Sequence, residues 1–179
     1  DKVKVIANET NQHVAASRNI GIENSTHGLI LTLDADDQMA PGSIKLLSDA
    51  LVKDRTIDIT YGACQFFDKL DRPVEKIGPN GVSKWPPQFK YEGLYKYPFS
   101  YCPNTSMFRN SMCERVGGFR RRFKGVEDAD FYTRAISIGM RPYKATEAIT
   151  LMYTIRDDSL SREDTAKYDW TKRYPEFGS

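Results

Sequence analysis

Cysteine is scarce: Cys64, Cys102 and Cys113 are odd in number and match no paired metal-ligand spacing. Buried or free thiols in a reducing compartment are therefore expected, and no disulfide framework. Net charge is equally thin, because 26 Lys and Arg stand against 24 Asp and Glu, a formal +2. That balance gives no broad electrostatic argument for nucleic acid or an anionic membrane, so any partner must be argued from sites. No apolar run approaches the roughly 18 residues of a membrane span, and no charged-then-apolar leader opens the chain. A cytoplasmic chain without a transmembrane segment is expected, peripheral membrane association being left open. Internal repeats and low-complexity tracts are missing too. The chain begins on Asp1 rather than Met and runs at once into the strand-like Lys2-Val3-Lys4-Val5-Ile6, as expected of a fragment or a processed chain.

What is there is ordinary globular material, 40% hydrophobic and 28% charged over 179 residues, enough for one core and one domain. His13 to Ile22 predicts a helix. After Gly28, the short branched run Leu29-Ile30-Leu31-Thr32-Leu33 predicts a strand buried on both faces, the kind found in the sheets of α/β proteins. Pro41 stands where a first helical turn begins, and Ile44, Leu46, Leu47, Ala50 and Leu51 give an apolar face through to Lys53. Ile57 to Phe67 alternates as a strand. Strand, helix, strand implies a parallel crossover unit.

From Asp68 to Pro103 prolines interrupt the pattern, and Trp85, Phe89, Tyr91, Tyr95, Tyr97, Phe99 and Tyr101 crowd it. Such a stretch is a functional loop or lid, or else a set of rings capping the core. Beyond it, Thr105 to Arg109 predicts a short strand. Ser111 to Val116 predicts a helix stopped by Gly117-Gly118, and Glu127 to Ile138 one ended by Gly139. Tyr143 to Ala145 and Ile149 to Ile155 predict strands, and a polar tail follows from Ser161.

Two acidic groups carry the chemistry. Asp34-Ala35-Asp36-Asp37 ends a buried strand, the edge of an α/β sheet where ligands bind. Carboxylates crowded there repel unless compensated, and hard oxygens suit Mg²⁺ or Mn²⁺ on a phosphate. Capping of the next helix explains one aspartate of that group, Asp37 or a neighbour, but not three. Glu127-Asp128-Ala129-Asp130 opens a helix, where acidic side chains stabilise the dipole by about 0.3 to 1 kcal/mol. A carboxylate at the same place, within reach of a hydroxyl, is alternatively a general base.

The stretch Ala16-Ser17-Arg18-Asn19-Ile20-Gly21-Ile22 through Leu31-Thr32-Leu33-Asp34-Ala35-Asp36-Asp37 to Pro41 resembles the donor-binding half of family 2 glycosyltransferases. Asn104 to Arg109, Val116-Gly117-Gly118-Phe119, Glu127-Asp128-Ala129-Asp130-Phe131 to Arg134, and Ser159-Leu160-Ser161-Arg162 resemble its acceptor half. The resemblance implies a GT-A fold, a Rossmann-like doubly wound α/β domain of nucleotide-diphospho-sugar transferases. Residues 1–67 would be what remains of the donor half and 68–179 the acceptor and catalytic half of that one domain. The implied reaction is inverting transfer of a sugar from a nucleotide-sugar, UDP-linked by first preference, to a hydroxyl of a carbohydrate or glycoconjugate. By the same resemblance Asp34 contacts the ribose and Asp36 binds Mn²⁺ or Mg²⁺ on the diphosphate. Arg18 helps hold the nucleotide, Asp128 is the base, and Glu127 is its partner at the acceptor.

Two departures from the family pattern stand out. The first two strands, with the nucleotide-binding turn, are missing, so the fold is expected to be incomplete, with a gap in mid-sheet and the base-binding pocket largely absent, and the isolated fragment is expected to have little or no activity. That gap predicts either a strand-exchanged homodimer or a rearranged first strand, since open edges invite pairing. Near Tyr153 to Ser161, where many members carry a metal-binding histidine, this sequence has Arg156-Asp157-Asp158. Histidine ligation is not predicted. Two other enzyme or switch classes share single motifs. A haloacid dehalogenase phosphohydrolase also places Asp-x-Asp after a strand but wants Thr or Val where Gln38 stands, and a receiver domain matches only the Asp37 to Pro41 spacing. An inactive module serving binding or assembly is the remaining alternative.

Overall fold

The computed structural model describes residues 3–68, 70–74, 89, 102–123 and 125–156. Its helices are α1 (His13–Glu23), α2 (Ser43–Lys53), α3 (Asn110–Val116) and α4 (Glu127–Ser137). The strands are β1 (Leu29–Leu31), β2 (Gln38–Met39), β3 (Ile59–Phe67), β4 (Pro73–Val74), β5 (Met107–Arg109) and β6 (Pro142–Thr154). They form one sheet in the order β1-β5-β3-β6-β2, with β4 hydrogen-bonded to β3.

Successive side chains of a strand point to opposite faces, and the two apolar clusters follow that rule. Ile30, Ile59, Tyr61 and Phe108 pack on one face with Ala15 of α1, Met112 of α3 and Phe131, Tyr132, Ala135 and Ile136 of α4. Leu29, Leu31 and Met107 turn to the other face, against Leu47 and Leu51 of α2. The sheet is therefore covered on both sides over Leu29–Leu31, whereas the strand expected through Leu33 ends at Leu31 and Leu33 is exposed. Small side chains matter on α1: Ala15 and Ala16 are its buried residues, so the helix backbone lies close to its neighbours.

The crossover unit is present in modified form. β1 and β3 run the same way, but β5 lies between them, antiparallel to both. The two strands expected near Tyr143 and Ile149 are one long strand, parallel to β3, whose register slips between Tyr61 and Ala63. Gly62 permits the slip, since a Cβ there would overlap Thr150 and meet its Oγ1 at 2.7 Å. A glycine is needed for such close backbone approach.

The expected first strand does not form. Residues 3–6 are in no strand, Val3 and Val5 are 79% and 86% exposed, and the segment runs beside α1 instead. Lys4 Nζ donates to Asn24 Oδ1 at 2.7 Å and Asn8 Nδ2 to Ser17 Oγ at 3.2 Å. Alternation alone does not bring a segment into a sheet: among the described residues β1, at one end of the sheet order, pairs with β5 alone, and its outer edge is not taken by this segment. The segment thus takes a place outside the sheet. Most of the aromatic stretch and the tail from Ser161, with the Ser159 to Arg162 motif, lie outside the described residues.

Candidate functional site

The end of β1 and the start of α4 meet through Arg18. Its Nη2 donates to Asp34 Oδ1 at 2.6 Å and its Nη1 to Glu127 Oε1 at 2.7 Å, while the guanidinium lies 5.3 Å from the centre of the Phe119 ring. The Arg18 side chain is only 9% exposed, and a planar, permanently charged fork suits such a buried double pairing. Burial works against its charge, yet Asp34, Asp128 and Glu127 together outweigh that cost and hold its pKa above the ordinary value. Phe119 is itself fixed by Asn19, which accepts from the Phe119 N–H and donates to its carbonyl, both at 2.8 Å.

Glu127 and Asp128 respond to the same surroundings. Burial and the neighbouring Asp128 push Glu127 up to about 7, against the pull of Arg18. Glu127 Oε2 is buried without a hydrogen-bond partner among the described residues. Asp128 is partly buried and its Oδ1 accepts from the Ala129 N–H at 2.8 Å. Its pKa is also raised, mainly by burial and despite Arg18. A carboxylate whose affinity for a proton is raised has the property of a general base. Asp130, by contrast, has a structural job: it pairs with Arg134 at 2.8 Å and Arg120 at 3.5 Å. Arg134 in turn donates to the carbonyls of Val116 and Gly118.

The raised Glu127 pKa has a testable sign. A carboxyl that titrates near 4.5 when unfolded and near 7 when folded favours the folded state fully below pH 4.5, and that contribution is lost as pH rises through 7. Its share is about 1–3 kcal/mol. Urea unfolding between pH 4.5 and 8 is expected to show stability falling across this window, with a shallower fall in Glu127→Gln. An identical slope in the variant would refute the assignment.

The Asp34–Asp37 turn is held from three sides. Asp34 takes Arg18 on Oδ1 and the Asn104 side-chain amide on Oδ2, at 2.7 Å. Asp37 is buried and caps nothing: it accepts from the Thr154 N–H at 3.0 Å and from Asn104 at 3.3 Å. The following helix has Gly42 at its N-cap and no side-chain cap. Burial, and then Asp34 and Asp36, push Asp37 up to about 6 despite those two donors. Asp36 faces outward, with Arg156 at 3.8 Å. Asp157 and Asp158 lie outside the described residues.

The structure thus brings Arg18, Asp34, Glu127 and Asp128 together and leaves Asp36 at the rim. Two contributors were not expected. Thr154 enters through its backbone, which carries no sequence signal. Asn104 was readable only through register: continuing the antiparallel pair Leu31↔Met107 by three residues sets Asn104 opposite Asp34. Among the described residues no group of three or more His, Cys, Asp or Glu is placed to hold a metal ion. Cys64, Cys102 and Cys113 form no disulfide with one another, and burial pushes Cys102 well up. Among the described residues no helix is long and apolar enough to cross a membrane.

The model of the family "Glycosyl transferase family 2" matches residues 1–117. EpsE of Bacillus subtilis, named as a glycosyltransferase, is 29% identical over 161 residues, 89% of this chain and 54% of EpsE. An uncharacterized glycosyltransferase of Haemophilus influenzae is 27% identical over 171 residues, 91% of this chain and 55% of its own. The chain therefore spans about half the length of these relatives. Among solved structures, S. aureus TarS 1-349 in complex with UDP-GlcNAc superposes with a TM-score of 0.64 at 17% identity, covering 97% of this chain and 47% of that one. The complex of TarS 1-349 with UDP gives 0.57 at 14% identity, covering 81% and 41%. At those identities the likeness is one of fold, and it places the sheet described above within the GT-A architecture. By the match over residues 1–117, this chain belongs to glycosyl transferase family 2.

Proposed function

We propose that this chain carries the donor-binding and catalytic site of an inverting glycosyltransferase, one that moves a sugar from a UDP-sugar to a hydroxyl of a carbohydrate or glycoconjugate. The observation that carries the proposal is Arg18 bridging Asp34 and Glu127. A donor held at the end of β1 and an acceptor at the start of α4 then share one site. Asp128 takes the acceptor hydroxyl proton as that oxygen attacks the anomeric carbon. The bond from that carbon to the diphosphate breaks, and the nucleoside diphosphate leaves with the electron pair. Attack from the face opposite the leaving group inverts the centre.

Asp34 meets the ribose, and Asp36 holds the cation. One outward carboxylate suffices, because Mg²⁺ and Mn²⁺ sites of this type combine one or two carboxylates with substrate phosphates and water. When bound, the ion supplies neutralisation of charge developing on the departing diphosphate. The binding of UDP and UDP-GlcNAc by TarS supports a uridine nucleotide here. A phosphohydrolase reading falls with the family assignment.

Calorimetric titration with UDP and Mn²⁺, on this chain and on a form extended at its N-terminus, tests the proposal. Binding is expected in the extended form, weakened at least about tenfold by Asp36→Ala, the scale on which metal-site groups act. No binding in either form would favour the inactive, assembly-serving module instead.

A further inference from the structure

Asn104 belongs to neither acidic group, yet it touches both halves of the site. Its side-chain amide has two hydrogens and no charge. They go to two different carboxylates, Asp34 Oδ2 at 2.7 Å and Asp37 Oδ2 at 3.3 Å. The residue is anchored in turn by its carbonyl, which accepts from Thr32 Oγ1 at 2.6 Å, just beyond β1, and from Tyr132 Oη on α4 at 3.5 Å. With the second oxygen of Asp34 on Arg18 and that of Asp37 on the Thr154 N–H, all four oxygens are engaged. Asp36 is the carboxylate of the turn left facing out.

We propose that Asn104 is the positioning residue of this turn, tying Asp34 and Asp37 back so that the Asp36 carboxylate is aimed at the cation of the bound donor. The inference rests on the donor-binding reading above. A neutral double donor fits the task where other side chains do not. A lysine or arginine would bring a positive charge that competes with the cation, a carboxylate would add repulsion, and an apolar group would leave two carboxylates each short of a donor. Asn104 touches no substrate atom in this arrangement. It acts through Asp34 and Asp37 on the direction of Asp36.

The experiment is a Mn²⁺ titration followed by electron paramagnetic resonance, at saturating UDP, on wild type, Asn104→Ala, Asn104→Ser and Asp36→Ala, with unfolding midpoints measured on the same samples. Asn104→Ala is expected to weaken Mn²⁺ about tenfold, and Asn104→Ser, which keeps one donor, to fall between it and wild type. The serine variant also covers the case in which the alanine variant does not fold. If Asp36→Ala loses Mn²⁺ while both folded Asn104 variants keep wild-type affinity, with only their unfolding midpoints lowered, the positioning role is overturned and the donor site stands. If Asp36→Ala keeps Mn²⁺ as well, the metal-site reading falls and the Asn104 role with it.

Discussion

Asp128→Asn is expected to slow sugar transfer by about 100- to 10,000-fold, the range general-base catalysis contributes, with UDP affinity unchanged. The asparagine keeps an oxygen for the Ala129 N–H but has no lone pair basic enough to take a proton. Wild-type Asp128 is suited to that step because burial lifts its pKa, against the pull of Arg18, and so raises its affinity for a proton. Single-turnover measurements with saturating donor isolate the chemical step. A variant that transfers sugar at the wild-type rate would remove Asp128 from the mechanism, whereas a loss confined to UDP binding would move it to the donor side.

Arg18→Met should destabilise the fold by about 3–5 kcal/mol, because removing one partner of a buried ion pair leaves the other uncompensated. Methionine keeps much of the packing on Phe119, so the loss reads charge rather than volume. Glu127, at 4% exposure, bears most of the consequence, since its other oxygen already has no hydrogen-bond partner. Part of the loss is therefore expected to return in Arg18→Met/Glu127→Gln, where no buried charge is left at position 127. Chemical denaturation of the four proteins closes the cycle. A single-variant loss under about 1 kcal/mol, the scale of an exposed pair, would mean that the bridge is far weaker than its burial implies.

Much of this architecture was legible in the sequence where a single local rule governs. Glycine stops fixed helix ends: Gly117, at φ 82°, closes α3 and Gly139, at φ 87°, follows α4. The run 29–33 announced a strand covered on both faces. Arg18, Asp34, Glu127 and Asp128 came from the motifs, and the fold brings them together. What stayed hidden depends on chain segments distant in sequence. Lys2 to Ile6 has the alternation of a strand, but alternation does not say whether a segment pairs, and residues 3–6 join no strand although β1 is an end strand. Asp37 looked like a helix cap, and its actual partner, the Thr154 N–H, is 117 residues away. Nothing local gives the direction of a strand as short as Met107–Arg109, and that direction is what sets Asn104 opposite Asp34.

The insertion of β5 between β1 and β3 bears on how the chain folds. The strands of the first 67 residues cannot pair side by side, since the backbone groups that would join them are filled by residues 107–109. Closing the sheet requires chain ends about 50 to 80 residues apart to meet, a search whose entropic cost precedes any reward. On a ribosome, β1, α1 and α2 would wait, their apolar faces uncovered, until Arg109 has emerged. In a nascent chain arrested before residue 107, β1 and β3 are therefore expected to stay unjoined, their facing edges open to proteases and chaperones.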